Sequence, residues 1–312
     1  KTGEIIPLAN VRPDTALVRA LQPAHDSARA WVTRPLGQST ATMSARTARL
    51  EDTPVIDFIN EVERAQAGAD LASTAAFEID GGIPAGAVRM ADLASIYPYD
   101  NTLRAVRISG ADLRAYLEQS ARYFFVDSIG RVFTNRYVPA DRYDLIGGAS
   151  YVIDLSQPMG ARITKLEVQG RTVQPADSFT LALGDNRQLG EGNFSMLTRA
   201  PVVYDKGLPV REALVAELTR RKTLRPDNLE GRDWRLAPAY LARRARALFI
   251  RETATEHASD SAPAPEPTPA LVLTPSHTER LAQGSIERTR ERAEALAAIV
   301  VATLRLPAEA RP

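Results

Sequence analysis

Five prolines fall between Pro263 and Pro275, interleaved with Ser, Thr, Ala and acidic residues, and they divide the chain. A stretch of that composition, from about residue 252 to 275, is expected to be a semi-extended linker and not part of a core. Ordinary packing is thereby confined to about residues 1–252. Beyond the linker, Thr278–Leu304 is rich in Ala, Arg and Glu. Leu281, Ile286, Ala293, Leu296, Ile299, Val300 and Leu304 form an apolar stripe, which predicts an amphipathic helix. Its polar face mixes Glu279, Glu287 and Glu291 with Arg280, Arg288, Arg290 and Arg292. That mixture suits docking on its own domain or weak self-association better than a membrane surface.

Of the 312 residues, 39 are Lys or Arg and 38 are Asp or Glu, so the net charge of +1 gives no electrostatic ground for a nucleic-acid partner. Hydrophobic residues make up 44%, enough for a sizeable core. The longest apolar run, Ala295 to Leu304, is about half of the ~20 residues that a membrane span requires. The chain opens on Lys1 with no basic-then-apolar leader, as a processed chain or a fragment would.

Zero cysteines exclude disulfides, thiolate metal sites and a cysteine nucleophile. The three histidines, His25, His257 and His277, are far apart in sequence, and no His-Glu-x-x-His or Gly-x-Ser-x-Gly occurs. Neither an imidazole-based metal centre nor a Ser-His-Asp triad is expected from this chain.

Hydrophobic spacing predicts helices over 13–32, 55–67, 90–96, 111–123 and 208–221, with a kink or restart at Pro23 in the first. Strands are predicted over 103–108, 150–155, 163–168 and 178–183, with a short buried segment near Leu71 and a turn at Ile83-Pro84-Ala85-Gly86. Gly110 reads as a break, and residues 126–148 read as polar, Tyr-rich and irregular. Strands both paired and separated by helices indicate an α+β fold, a mixed sheet flanked by helices.

Two segments are candidates for chemistry. In Tyr97-Pro98-Tyr99-Asp100-Asn101-Thr102-Leu103, a rigid proline holds aromatics that can offer a stacking surface to a base or sugar; the same spacing equally serves two core tyrosines. In Gly184-Asp185-Asn186-Arg187-Gln188-Leu189-Gly190-Glu191-Gly192-Asn193-Phe194, the glycines permit close backbone approach, Arg187 can pair with an anion and Phe194 can pack on a ring. An ordinary Gly-rich connection between elements has the same appearance. The segment matches neither the P-loop nor the dinucleotide fingerprint.

Taken in order, Asp70-Leu71-Ala72, Thr74-Ala75-Ala76-Phe77, Ile83-Pro84-Ala85-Gly86, the Tyr97–Leu103 segment, Ser109-Gly110-Ala111-Asp112-Leu113, Tyr143-Asp144, Tyr151–Pro158, the 184–194 loop and Asp233–Pro238 resemble the C-terminal domain of the 5'-nucleotidases. The Thr-Ala-Ala-Phe and Ile-Asp-Leu-Ser-Gln-Pro forms are most similar to the bacterial bifunctional 2',3'-cyclic-nucleotide 2'-phosphodiesterases. The resemblance covers about residues 36–250. It implies a secreted or periplasmic phosphoesterase in which an N-terminal metallophosphoesterase domain holds two divalent metals and the C-terminal domain stacks a nucleobase. On that basis 1–35 is a connecting helix from an absent metal domain, 36–252 the nucleotide-recognising domain, 253–275 a linker and 276–312 a terminal helix and tail. This chain itself supplies no catalytic or metal-binding residue.

The resemblance implies substrate contacts from Tyr97, Tyr99, Asn101, Asn186, Arg187, Gly190, Gly192 and Phe194, with Tyr99 in the position of the first stacking aromatic. Two departures stand out. Asn186 occupies the place of the second stacking aromatic, and Ala75–Asp80 holds no arginine to grip a phosphate. Two functions follow as expectations: nucleotide recognition for a metal-dependent phosphoesterase, or a binding module that kept the fold and lost the ligand.

Overall fold

The computed structural model describes residues 12–229, 231 and 233–261, with 251–261 described by their backbone only. One compact unit spans Pro13–His257; the other, Lys1–Arg12 with Ala258–Pro312, lies almost wholly outside the described residues, as do the terminal helix expected over 278–304 and most of the linker. No helix among the described residues is long and apolar enough to cross a membrane.

The core is a five-stranded mixed sheet. Its strands run in the order Val202–Pro209, Thr102–Ser109, Ser178–Gly184, Leu71–Ala75 and Asp144–Gly147. All neighbours are antiparallel except Ser178–Gly184 with Leu71–Ala75, where Leu181 pairs with Leu71 in parallel. A second sheet carries Arg171–Thr172, Ile163–Val168, Ala149–Asp154 and Trp234–Ala237, the last two parallel. The fold is α+β, as the element pattern indicates.

Helix α1 (Thr15–Val32) starts where Asp14 accepts the N–H groups of Ala16 (2.8 Å) and Leu17 (3.1 Å). It runs through Pro23 without the expected restart. The helix buries no residue, so the main-chain carbonyl that Pro23 leaves without a donor stays open to solvent. Helix α2 (Pro54–Ala67) inserts Val55, Ile56, Phe58, Ile59 and Val62 into the core and ends on left-handed Gly68. Helix α3 (Met90–Ile96) matches its predicted bounds.

Helix α4 (Gly110–Ser120) opens with a capping box, Asp112 N–H donating to Ser109 Oγ (3.1 Å) while Asp112 Oδ2 accepts Ser109 N–H (3.4 Å). Gly110 is therefore the first helical residue, at the point where the strand gives way to the helix. Its glycine is required by contact: a Cβ there would land on the Gln174 carbonyl. Gly110→Ala is expected to cost about 1–3 kcal/mol by overpacking, against the ~1 kcal/mol that helix propensity returns. A urea midpoint raised in that variant would refute the contact.

Three further readings are corrected. Residues 126–148 contain the hairpin Phe124–Val126/Val132–Thr134 and the fully buried edge strand Asp144–Gly147. Residues 208 and 209 close the strand Val202–Pro209, so, after the one-turn helix α5 (Asp185–Gln188), helix α6 begins at Val210 and ends at Arg221. Helix α7 (Ala239–Ser261) passes through residue 252, so residues 252–261 are helical where an extended linker was expected.

Candidate functional site

The Tyr97–Leu103 segment leaves α3 at its C-cap and enters the Thr102–Ser109 strand. The 184–194 segment leaves the neighbouring Ser178–Gly184 strand, whose Gly184 pairs with Leu103. Adjacent strands thus deliver both segments to the same end of the sheet.

Pro98 separates two tyrosines with opposite fates. Tyr97 is 2% exposed and Tyr99 is 44% exposed. Phe77 stands edge-on to both rings, with centroids 5.1 Å from Tyr97 and 5.0 Å from Tyr99 and planes at 81°. It props Tyr99 from the side, leaving the accessible part of the ring for a stacking partner. The residue-level reading singled out the tyrosines and not Phe77, although Thr74-Ala75-Ala76-Phe77 ends a buried strand where an aromatic would reach the sheet end.

Gly184 is the point where the two segments touch. A Cβ built there would lie 2.6 Å from Asn186 Oδ1 and 3.4 Å from both Asn101 Cβ and the Tyr97 hydroxyl. Absence of a side chain lets Tyr97, Asn101 and Asn186 converge. The Tyr97 phenol is raised well above its ordinary range, first by burial and then by the nearby Glu63 carboxyl, with a hydrogen bond to Asn101 acting the other way. Asn186 Nδ2 donates to Glu191 Oε2 (3.0 Å), and Asp185 Oδ1 accepts Thr102 N–H (3.2 Å), stitching one segment to the other.

Arg187 and Phe194 point into the interior. Arg187 Nε and Nη2 donate to the two oxygens of Asp144 at 2.8 and 3.0 Å, and Nη2 also donates to the Asp141 carbonyl. Burial opposes the guanidinium charge, but Asp144 outweighs it and the group is held even more firmly protonated than usual. Tyr116 donates to the same Asp144 Oδ2 and meets the Ser73 hydroxyl at 2.9 Å. Phe194 is fully buried, stacks on Tyr116 at 4.4 Å and lies 5.4 Å beneath the Arg187 guanidinium. Gly190 and Gly192 adopt φ of 92° and 83°, and Gly192's carbonyl accepts Gln119 Nε2 (2.9 Å). Of the eight residues expected to contact substrate, Tyr97, Asn101 and Asn186 meet around Gly184 beside exposed Tyr99. Arg187, Gly192 and Phe194 are tied to the framework behind them, and half-buried Gly190 is a turn residue.

The electrostatics around Tyr99 are acidic. Its phenol is raised by partial burial and by the charges of Asp141, Glu78 and Glu191, with Arg187 acting against them. Such a rim favours hydrogen-bond donors over an anion.

Among the described residues no group of three or more His, Cys, Asp or Glu side chains is placed to hold a metal ion. The Asp52, Asp57 and Asp233 carboxylates are occupied by main-chain N–H groups, of Asp233 (2.6 Å), Gly231 (3.1 Å) and Gly148 (3.0 Å) respectively. Burial, with Asp52 and Asp233 alongside, holds Asp57 up to about 8. The resemblance assigns its two divalent metals to an N-terminal metallophosphoesterase domain and not to these residues.

The chain is 28% identical over 271 residues to the 2',3'-cyclic-nucleotide 2'-phosphodiesterase/3'-nucleotidase of Salmonella typhimurium, covering 73% of this chain and 41% of that protein. It is 24% identical over 259 residues to the trifunctional nucleotide phosphoesterase YfkN of Bacillus subtilis, covering 71% and 17%. A Staphylococcus aureus protein assigned provisionally to the 5'-nucleotidases and solved with α-ketoglutarate superposes with a TM-score of 0.64 at 26% identity, over 72% of this chain and 44% of that one. The chain thus spans less than half the length of each of these proteins. The model of the "5'-nucleotidase, C-terminal domain" family matches residues 35–199. Carried by more than half of its length, this chain belongs to the 5'-nucleotidase C-terminal domain family.

Proposed function

We propose that this chain recognises the nucleoside part of a nucleotide on behalf of a metallophosphoesterase domain, in the catabolism of nucleotides or 2',3'-cyclic nucleotides in the periplasm or outside the cell. The observation that carries the proposal is Tyr99: an aromatic ring 44% exposed, propped edge-on by Phe77, beside the polar convergence of Tyr97, Asn101 and Asn186. Tyr99 stacks on the base, and Asn101 and Asn186 read polar edges. The acidic rim of Glu78, Asp141 and Glu191 takes hydroxyl and amino donors and directs the phosphate away from this domain. Two divalent metals in the partner domain would supply the activated water and the charge stabilisation for phosphate-ester hydrolysis. This chain contributes orientation of the substrate. Arg187 and Phe194 serve by fixing the 184–194 loop against Asp144 and Tyr116.

Tyr99→Ala tests the assignment by calorimetric titration of adenosine, AMP and 2',3'-cyclic AMP. Loss of one base–aromatic stack is expected to weaken binding by about 1–3 kcal/mol. The melting temperature should hold, because the ring is half-exposed. Unchanged affinity would sink the role given to Tyr99.

A second reading rests on Asn186, whose amide stands where a second stacking ring would be and is engaged with Glu191. A domain in which one face of the base is unsupported could have become a non-catalytic module. The absence of saturable binding of any common nucleoside or nucleotide at millimolar concentration would favour that reading.

A further inference from the structure

A groove of about 760 Å³ lies between the Phe124–Val126/Val132–Thr134 hairpin, the 155–162 turn and the start of α7. It shares no residue with the Tyr99 region. Phe125, Ile129, Met159 and Tyr240 line it and are all exposed, an unusual concentration of large apolar groups for one rim. Its volume falls within the range of small-molecule sites, roughly 300–1,000 Å³.

Arg162 lines the same groove and is 3% exposed. All its side-chain bonds go to main-chain carbonyls: Nη1 to Ala121 (2.8 Å) and Phe124 (2.5 Å), and Nε to Gln157 (3.4 Å). Carbonyls satisfy donors but leave the positive charge in place. Among the described residues no carboxylate lies within ion-pair distance of Arg162, and Nη2 has no hydrogen-bond partner. The neighbouring acid, Glu118, is held by the main-chain N–H groups of Arg162 (3.0 Å) and Ile163 (2.7 Å). Burial lowers the guanidinium's hold on its proton, and Glu118 offsets part of that effect.

The other charges in the groove point the same way. Arg244 donates to the Gly130 carbonyl and lies 5.7 Å over the Tyr240 ring, again without a carboxylate within ion-pair distance among the described residues. Asp127, the one acid among the described lining residues, is already matched. It accepts Arg131 Nε at 2.7 Å and the N–H groups of Ile129 (3.1 Å) and Arg131 (2.8 Å).

We infer that this groove binds a small organic monocarboxylate with an apolar body, the carboxylate on Arg162 with Arg244 nearby and the body on Phe125, Ile129, Met159 and Tyr240. A compact phosphate would leave that apolar lining unused, and a neutral apolar molecule would leave the buried guanidinium uncompensated.

The test uses the full 312-residue chain and two probes of equal shape, 4-phenylbutyrate and 4-phenylbutan-1-ol, followed by calorimetry and amide shifts. The carboxylate is expected to bind about tenfold or more tighter than the alcohol, a factor worth about 1.4 kcal/mol. Because Arg162 braces three carbonyls and its loss could unfold the hairpin, the variants are placed on the exposed rim. Ile129→Glu and Arg244→Glu should each weaken phenylbutyrate about tenfold, while Tyr99→Ala leaves it unchanged. Equal affinity for the alcohol, insensitivity to both rim variants, or loss in Tyr99→Ala would each overturn the inference. So would the absence of saturation by about 10 mM.

Discussion

Asp144→Ala is expected to cost about 3–5 kcal/mol of folding stability, because it strands a buried guanidinium. Asp144 is 2% exposed and Arg187 is 4% exposed. The carboxylate engages Arg187 through both its oxygens and accepts the Tyr116 hydroxyl, while the separate main-chain carbonyl of Asp144 accepts Ser120 Oγ (2.6 Å). Removing the carboxylate leaves Arg187 with the Asp141 carbonyl as its remaining polar partner and Tyr116 with Ser73 alone. Neither loss can be made good by water without opening the core. The cost should appear as a lower urea midpoint at constant m-value. In contrast, replacing the pair together, with Asp144→Leu and Arg187→Met, should recover much of the loss, since apolar residues of similar volume require no desolvated charge. A single-variant cost below about 1 kcal/mol, the level of an exposed ion pair, would show that the pair is not sealed from solvent.

That network also explains which parts of the protein were legible in its sequence. Helices α2 and α3 and the strands near 150 and 163 announce themselves because their apolar residues recur at the period of the element and meet near neighbours. The Asp144–Gly147 strand does not. It opens with a carboxylate and closes with glycine, both poor strand residues, and what makes it a buried edge strand is Arg187, 43 positions away. Spacing likewise cannot say which way a side chain turns. Tyr97 and Tyr99 are two apart across a proline, yet one faces the core and the other faces solvent. Arg187 and Phe194 read as ligand contacts as readily as framework, and only the presence of Tyr116 and Asp144 beneath them turns them inward. No spacing in the sequence marks Phe77, because its contact with Tyr99 crosses between two loops at the sheet end. The family, by contrast, was visible in the ordered set of short segments, since insertions and drift between them leave their order intact.

Glu63 carries the second large effect, with the opposite sign and a pH signature. It sits on the inner face of α2 with no exposed surface, and neither carboxyl oxygen has a hydrogen-bond partner among the described residues. Burial, reinforced by the negative charge of Asp144, raises its carboxyl well above the usual carboxylate range. In the unfolded chain it ionises near its ordinary pKa of about 4.3. Between those two limits the folded state binds one proton more than the unfolded state, so stability falls as pH rises, by about 1.4 kcal/mol per pH unit from this group. Its full contribution is therefore present below about pH 4 and is lost progressively upward. Glu63→Gln keeps the shape and cannot ionise. The stability difference between the variant and the parent should consequently move in the variant's favour as pH rises above 4, at up to about 1.4 kcal/mol per pH unit, whatever its value at pH 4. Chemical denaturation of both proteins at pH 4, 5, 6 and 7 reads this slope directly. A difference flat across that range would mean that Glu63 ionises in the folded core and that its charge is compensated, in which case Tyr97, whose phenol lies in the same field, would have to be reassigned with it.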